Sequence, residues 1–332
     1  LGAGRRLQDI DIILLSRCLP LTLITDLDLS GNDITARGAR YISNSIKDGL
    51  ATLAAEIRVL NLFGNHLGDV GAKSICSAFQ RTSHLRSLNL GNNGITAAGI
   101  EELHVFLKST TDRFKLETLI LDDNPLQAEG MSHLCRAFDS DEDGSPAATL
   151  TTLSLARTAA RADGMAHLVE MVRKNNTLTS LDLSECEIFS SDAGHTDDPA
   201  IHLGEALTNN SSLRTLVLED NNLTSNGLYS IVSKLRKNFT LQQLLCRNNK
   251  VGYTVTAFDE LKHTLVNNSS LRVLDLSSNP TGPGVLSALA AWNAERAAIA
   301  DGRASPPPAA LTLESNSNQP SQGGGAEVLV VQ

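Results

Sequence analysis

Nine times along the chain one pattern returns: an aliphatic residue, leucine three positions on, then leucine or cysteine two further, then a polar turn. The frames start at Ile24, Ile57, Leu85, Leu116, Leu150, Leu178, Leu213, Leu241 and Leu271. Ile57 and Leu85, Leu150 and Leu178, and Leu213 and Leu241 each stand 28 residues apart, and the other intervals are this length plus an insertion. A fixed period of this size predicts one supersecondary unit copied end to end. Each copy reads as a short strand, a turn and an amphipathic helix running back. No copy can bury its apolar side alone, so the copies must stack into one elongated body.

Within a frame the first, fourth and sixth positions are expected to point inward. The helix is expected to begin at the fifteenth position, where Gly38, Gly71, Gly99, Gly130, Gly164 and Gly227 recur. Glycine there would let the helix start close to the sheet. Apolar residues then follow at helical spacing: Ile100, Leu103 and Leu107; Met131, Leu134 and Phe138; Met165, Leu168 and Val172. The ninth position is Asn32, Asn65, Asn93, Asn124, Asn221, Asn249 and Asn279, interrupted by Thr158 and Cys186. A side-chain amide donates and accepts, so a ladder of asparagines can satisfy backbone groups in an otherwise unpaired bend.

The repeats are expected over 24–316, with a degenerate tenth near Pro308, Leu311, Leu313 and Asn316. Residues 1–23 read as an N-terminal cap or the trailing helix of an earlier repeat. Residues 317–332 read as a disordered tail, because Ser, Asn, Gln, Pro and Gly dominate from Ser315 to Gly325. Insertions fall after helices near Lys47–Leu53, Ser109–Phe114, Asp139–Ala148 and Ala297–Pro307. Before helices they fall within Phe189–Pro199 and near Gly252–Thr254. The chain begins at Leu1 without methionine, so further residues upstream are expected.

Hydrophobic residues at 41% are ample for a core, and aromatic residues at 4% suit a leucine-packed stack. A net charge of −9 disfavours nucleic acid and anionic membranes, which reward basic surfaces, and favours a basic protein partner. No apolar run is long enough to span a bilayer. Cys18, Cys76, Cys135, Cys186 and Cys246 are odd in number and widely separated, which predicts buried structural thiols in a reducing compartment. The sequons Asn209–Ser211 and Asn238–Thr240 read as ordinary polar turns.

Catalytic signatures such as G-x-S-x-G, the phosphate loop, H-E-x-x-H and paired C-x-x-C are absent from the sequence, and neither an enzyme nor a small-molecule site is expected. Asp139 to Gly144 opens like a calcium loop, but the twelfth position is Leu150, so a solvated insertion is expected. His195 among Asp192, Asp197 and Asp198 is no ligand set. His66, His84, His104, His133 and His167 fall at unlike positions and are expected to build no site. No metal and no cofactor is expected.

Recognition must then come from side chains the stack leaves free. The third, fifth, seventh and eighth positions of each frame should face the concave side. They supply Asp26, Asp28, Asp122, Asp123, Asp182, Glu185, Glu219, Asp220 and Asp275, with Arg157 and Arg247 as basic exceptions and Phe63 as an apolar anchor. Arg58, Arg86, Arg214 and Arg272 sit one step earlier, toward the rim. The expectation is an acidic cradle for a basic protein.

The stretches LRSLNLGNNGI (85–95), LETLILDDNPL (116–126) and LRVLDLSSNP (271–280) resemble ribonuclease-inhibitor-type leucine-rich repeats. The resemblance covers Ile24 to Asn316. It implies an α/β fold, a right-handed horseshoe with a parallel sheet on the concave face and helices on the convex face, in nine to ten repeats. It implies a non-enzymatic protein-binding scaffold, cytoplasmic, of the kind found in cytoskeletal or ciliary assemblies. Two other roles lie within the family. One is a GTPase activator like the Ran-directed member, against which stand the missing acidic C-terminal run and the unfamiliar Gly31–Ile34 and Gly64–Leu67 loops. The other is the sensor region of a NACHT-type receptor.

Overall fold

The computed structural model describes residues 6–19, 23–50, 57–80, 84–108, 116–138, 149–191, 194–253, 261–265 and 267–300. Helices and strands alternate as α1 (Asp9–Cys18), β1 (Asp26–Asp28), α2 (Ala36–Leu50), β2 (Val59–Asn61), α3 (Gly68–Phe79), β3 (Ser87–Asn89), α4 (Ala97–Leu107), β4 (Thr118–Ile120), α5 (Gln127–Arg136), β5 (Thr152–Ser154), α6 (Arg161–Lys174) and β6 (Ser180–Asp182). A hairpin, β7 (Ser190–Ser191) and β8 (Gly194–His195), follows. Then come α7 (Asp198–Asn209), β9 (Thr215–Val217), α8 (Ser225–Leu235), β10 (Gln243–Leu245), β11 (Val273–Asp275) and α9 (Pro283–Ala300). The tenth repeat, the tail and the calcium-like segment at Asp139 lie outside the described residues.

The frame leucines explain the sheet. Leu27, Leu60, Leu88, Leu119, Leu153, Leu181, Leu216, Leu244 and Leu274 pair in register, strand to parallel strand, in the order β1-β2-β3-β4-β5-β6-β9-β10-β11. Each is buried, while its neighbours on either side are half-buried or exposed. Each leucine withdrawn from water stabilises by roughly 1.5–3 kcal/mol. Helices need about 8–10 Å between axes and strands only about 4.8 Å, so a helix layer over this sheet bends it with the strands inside.

The recurring glycines do not open the helices. α3, α5 and α6 start three residues before Gly71, Gly130 and Gly164, and α2, α4 and α8 start two before Gly38, Gly99 and Gly227. Close approach of both the preceding helix and the side chain four residues earlier is the reason for glycine. A Cβ on Gly71 would lie 2.7 Å from Leu67 Cβ and 3.3 Å from Ala36 Cα, and one on Gly99 would lie 2.5 Å from Asp69 Oδ1. That aspartate also ties the repeats together: Asp69 accepts from Thr96 N at 2.7 Å and Thr96 Oγ1 at 2.8 Å. Asp9 serves Thr35 and the Gly38 amide in the same way, and Asp197 accepts from Thr224.

The asparagine ladder runs as expected. Asn124 Nδ2 donates to the Leu90 and Leu121 carbonyls, and its Oδ1 accepts from the Asn93 and Ile95 amides. Asn221 and Asn249 repeat the arrangement. At the interruption, Thr158 Oγ1 and Cys186 Sγ both donate to the Leu155 carbonyl. Burial pushes the Cys186 thiol up, and that of Cys76 to about 12. Of the five cysteines only Cys18 is exposed.

A second ladder holds the opposite edge, where helices turn back into strands. Asn210 Nδ2 donates to the Val172 and Asn175 carbonyls, and its Oδ1 accepts from the Ser212 and Leu213 amides. Asn238 does the same with Leu207, Asn210, Thr240 and Leu241, and Asn268 with Leu235, Asn238, Ser270 and Leu271.

Candidate partner-binding surface

The strand ends deliver the side chains of the surface. Beyond each strand the eighth frame position takes a left-handed backbone: Gly31 and Gly64 in the first two repeats, then Asn92, Asp123, Arg157, Glu185, Asp220, Asn248 and Ser278 at φ between 50° and 58°. A side chain there costs about 1 kcal/mol against glycine. Four successive repeats nonetheless carry charged residues at it, a local strain of the kind that accompanies recognition sites.

Two groups form among the expected residues. In the first, Arg157 donates from Nη2 to Asp123 Oδ2 at 2.7 Å and from Nη1 to Glu185 Oε1 at 3.0 Å. The guanidinium holds the Asp123 carboxyl below its ordinary value. Asp122 lies beside this cluster, accepting from Ser154 Oγ at 2.6 Å and Ala156 N at 2.9 Å, and burial raises its pKa. Arg157 is therefore a neutralised cation, and Asp122 and Asp123 are engaged in the fold.

In the second group, Asp182, Glu219, Asp220 and Asp275 converge. The Glu219 carboxyl is raised first by burial and next by Asp275, with Asp182 and Asp220 adding to the effect and Arg247 opposing it. Asp182 accepts from the Ser184 amide and hydroxyl, and Asp275 from the Ser277 amide. Asp220 accepts from the Asn248 side chain. A carboxyl raised by burial and by neighbouring carboxylates, as that of Glu219 is, is where a cation from outside gains most.

Asp26, Asp28 and Phe63 join neither group. Asp28 caps the Ser30 amide at 2.9 Å, which lowers its carboxyl, and Asp26 accepts from Thr25 Oγ1. Phe63 is half-buried over the next turn; a Cβ on Gly91 would meet its ring at 2.8 Å. The insertion after β6 is anchored by buried Phe189, and Asn222 Nδ2 donates to Ser190 Oγ. Two of the histidines come near each other, His133 of α5 acting on His104 of α4. Burial chiefly, then Lys108, Arg136 and His133, lowers His104.

The sequence reading missed a polarity carried by part of the stack. All described strands of the main sheet are parallel, so the helices between them point the same way and their dipoles share one sense. Acidic residues fill helix first turns at Asp69, Glu129, Asp163 and Asp198. Basic residues fill last turns at Lys47, Arg136, Arg173, Lys174 and Lys234. The strand-to-helix edge thus adds acid to the carboxylates above, and the helix-to-strand edge adds base to Arg214 and Arg272. Among the described helices α1, α5 and α6 carry acid in the first turn and base in the last, and those paired signs were the available signal.

Among the described residues no three His, Cys, Asp or Glu side chains are grouped to hold a metal ion, and no helix is long and apolar enough to cross a membrane.

Comparison with known proteins follows the repeats. The leucine-rich repeat family model matches residues 21–43, 57–76, 82–103, 174–192, 209–232 and 267–290. The chain is 32% identical over 268 residues to the ribonuclease inhibitor of Sus scrofa, covering 80% of this chain and 54% of that protein. It is 28% identical over 258 residues to NACHT, LRR and PYD domains-containing protein 14 of Mus musculus, covering 77% of this chain and 24% of the relative. With Protein CARMIL of Dictyostelium discoideum it shares 28% identity over 221 residues, 66% of this chain and 17% of the relative. The chain spans about half the length of the ribonuclease inhibitors it matches.

Proposed function

The chain is a leucine-rich repeat protein of the ribonuclease-inhibitor type, and we propose that it binds a basic protein on its acidic strand-to-helix edge without catalysing a reaction. The observation that carries this reading is the convergence of Asp182, Glu219, Asp220 and Asp275 around a carboxyl that burial and its neighbours push up. A cation brought there by a partner relieves that repulsion. The scaffold is fixed by two asparagine ladders, so binding orders little of it and loses little entropy. A ribonuclease is a reasonable first partner to try, since that is the target in a relative's name.

The test is a titration against a panel of small basic proteins, a ribonuclease included. Glu219→Lys with Asp220→Lys is expected to weaken binding about tenfold or more and to flatten its salt dependence. Binding that is unchanged in this variant moves the interface elsewhere. Clear stimulation of GTP hydrolysis by a small GTPase would replace the scaffold reading with that of a GTPase activator. A second reading, the repeat region of a larger NACHT-type receptor, is supported by the Mus musculus relative. A phosphate-binding loop in the coding sequence upstream of Leu1 would establish it. A cytoplasmic, cytoskeleton-associated setting, which the repeat resemblance implies, belongs to the same reading, and fluorescence localisation of the tagged chain tests it.

A further inference from the structure

The helix-to-strand edge carries a surface feature that the architecture does not require. Four turns there share one build, asparagine, a variable residue, a hydroxyl residue and leucine, at 175–178, 210–213, 238–241 and 268–271. The asparagine and the hydroxyl residue are occupied in holding backbone, as Asn238 and Thr240 show with their bonds to the Asn210 carbonyl. The variable residue points away from that network and is free to be anything. It is Asn176, Ser211 and Ser269 in three turns, and in the fourth it is Phe239, 66% exposed. A phenyl ring held in water on a turn pinned by four hydrogen bonds serves no packing role in the solenoid.

Its neighbours give it a chemical context. Phe239 lines a cleft of about 360 Å³ with Asn176, Thr177, Ser211, Arg214 and Gln242, and no acidic side chain contributes to the lining. In a chain of net charge −9 that is an unusual composition. Arg214 and Arg272 lie on either side of Gln242, because the Gln242 amide donates to the Arg214 carbonyl and the Arg272 amide to the Gln242 carbonyl. Two strand spacings place their backbones about 10 Å apart. Both guanidinium groups are exposed, and neither has a carboxylate partner among the described residues. An exposed aromatic beside unpaired arginines is the composition of an interface hot spot.

We infer that this cleft is a second docking site, of opposite sign to the first, for an acidic protein segment whose carboxylates meet Arg214 and Arg272 and whose apolar side chain covers Phe239. A peptide fits better than a nucleic acid. Nucleic acid needs cations along a path of several phosphates, and the overall negative charge of the chain repels it. The site does not depend on the acidic-edge reading, since it uses none of its residues.

The experiment is fluorescence anisotropy with a labelled acidic peptide of about twelve residues bearing one central leucine or phenylalanine, long enough at ~3.3 Å per residue to cross three repeats. The same peptide with lysine for its acids and an oligothymidylate of similar length are the comparisons. Phe239→Ser restores the residue of the sister turns Ser211 and Ser269, so the thermal midpoint should not move. Saturable binding of the acidic peptide and not of the oligothymidylate, weakened about tenfold by Phe239→Ser and again by Arg214→Gln, is expected, whereas any binding of the lysine peptide should be indifferent to both substitutions. Glu219→Lys with Asp220→Lys should not weaken it, which separates this site from the acidic edge. No saturation below about 1 mM, binding retained in both Phe239→Ser and Arg214→Gln, or oligothymidylate bound as tightly as the peptide would each overturn the inference.

Discussion

Where strands become helices, Asn93 and Asn124 carry the bend on their side-chain amides; where helices become strands, Asn210 and Asn238 do the same work with the same number of bonds. Yet the first edge gathers Asp182, Glu219, Asp220 and Asp275, and the second gathers Arg214, Arg272 and an exposed phenyl ring. The same means of satisfying backbone groups leaves opposite surfaces. Parallel repeats align every helix dipole, so the field of the helix ends favours acid along the first edge and base along the second. Architecture and recognition are separable on both sides, because the asparagines that hold the chain are not the residues that face the solvent.

The sharpest way to break the comparison is to remove one asparagine from each edge. Asn124→Ala orphans the Leu121 carbonyl and the Asn93 and Ile95 amides and leaves the Leu90 carbonyl to Asn93 alone, an expected loss of about 4 kcal/mol in denaturant unfolding. Asn238→Ala orphans the Leu207 carbonyl and the Thr240 and Leu241 amides, while the Asn210 carbonyl keeps Thr240, and should cost about 3 kcal/mol, water at the rim offsetting part of it. If one loss is severe and the other negligible, the two ladders are not equivalent.

A smaller effect separates fold from surface within the acidic edge. Arg157→Gln leaves Asp123 and Glu185 without their cation, but the group is partly exposed, so the expected loss of stability is at most about 1 kcal/mol. It should vanish in acid. Asp123 has a lowered folded pKa, so its contribution is present above the ordinary carboxylate range and is lost as pH falls through the folded value. A loss that persists unchanged at low pH would mean that Arg157 acts by packing instead.

The smallest effect has the opposite sign. Glu219 has a raised folded pKa, so its ionised form opposes folding, and stability falls as pH rises through that value. Glu219→Gln is therefore expected to stabilise slightly near neutral pH, by less than about 0.5 kcal/mol, and to have no effect in acid. Destabilisation at neutral pH would show that the carboxylate already has a cation of its own.

Most of the architecture was legible because it recurs. Strand leucines and first-edge asparagines sit inside one contiguous motif, so period and residue type identify them together. The second ladder escaped notice because it occupies only four turns, Asn175, Asn210, Asn238 and Asn268, outside the contiguous motif, and its asparagines resemble plain polar turns or sequons. The glycines were found but their reason was not, since the clash at Gly99 comes from Asp69 of the previous repeat. The surface was only half legible. Frame position puts both Asp122 and Glu219 in the seventh place, and only the fold shows that Ser154 and Ala156 already use Asp122. Phe239 stood in plain view, but its exposure depends on a turn whose construction had not been read.

The central claim is that the two edges recognise different chemistry, and a crossed binding measurement tests it most directly. The small basic protein and the acidic peptide are each titrated into the Glu219→Lys, Asp220→Lys variant and into the Phe239→Ser, Arg214→Gln variant. The account expects the first variant to lose only the basic protein and the second to lose only the peptide. Loss of both ligands in one variant, with its thermal midpoint unchanged, would contradict it.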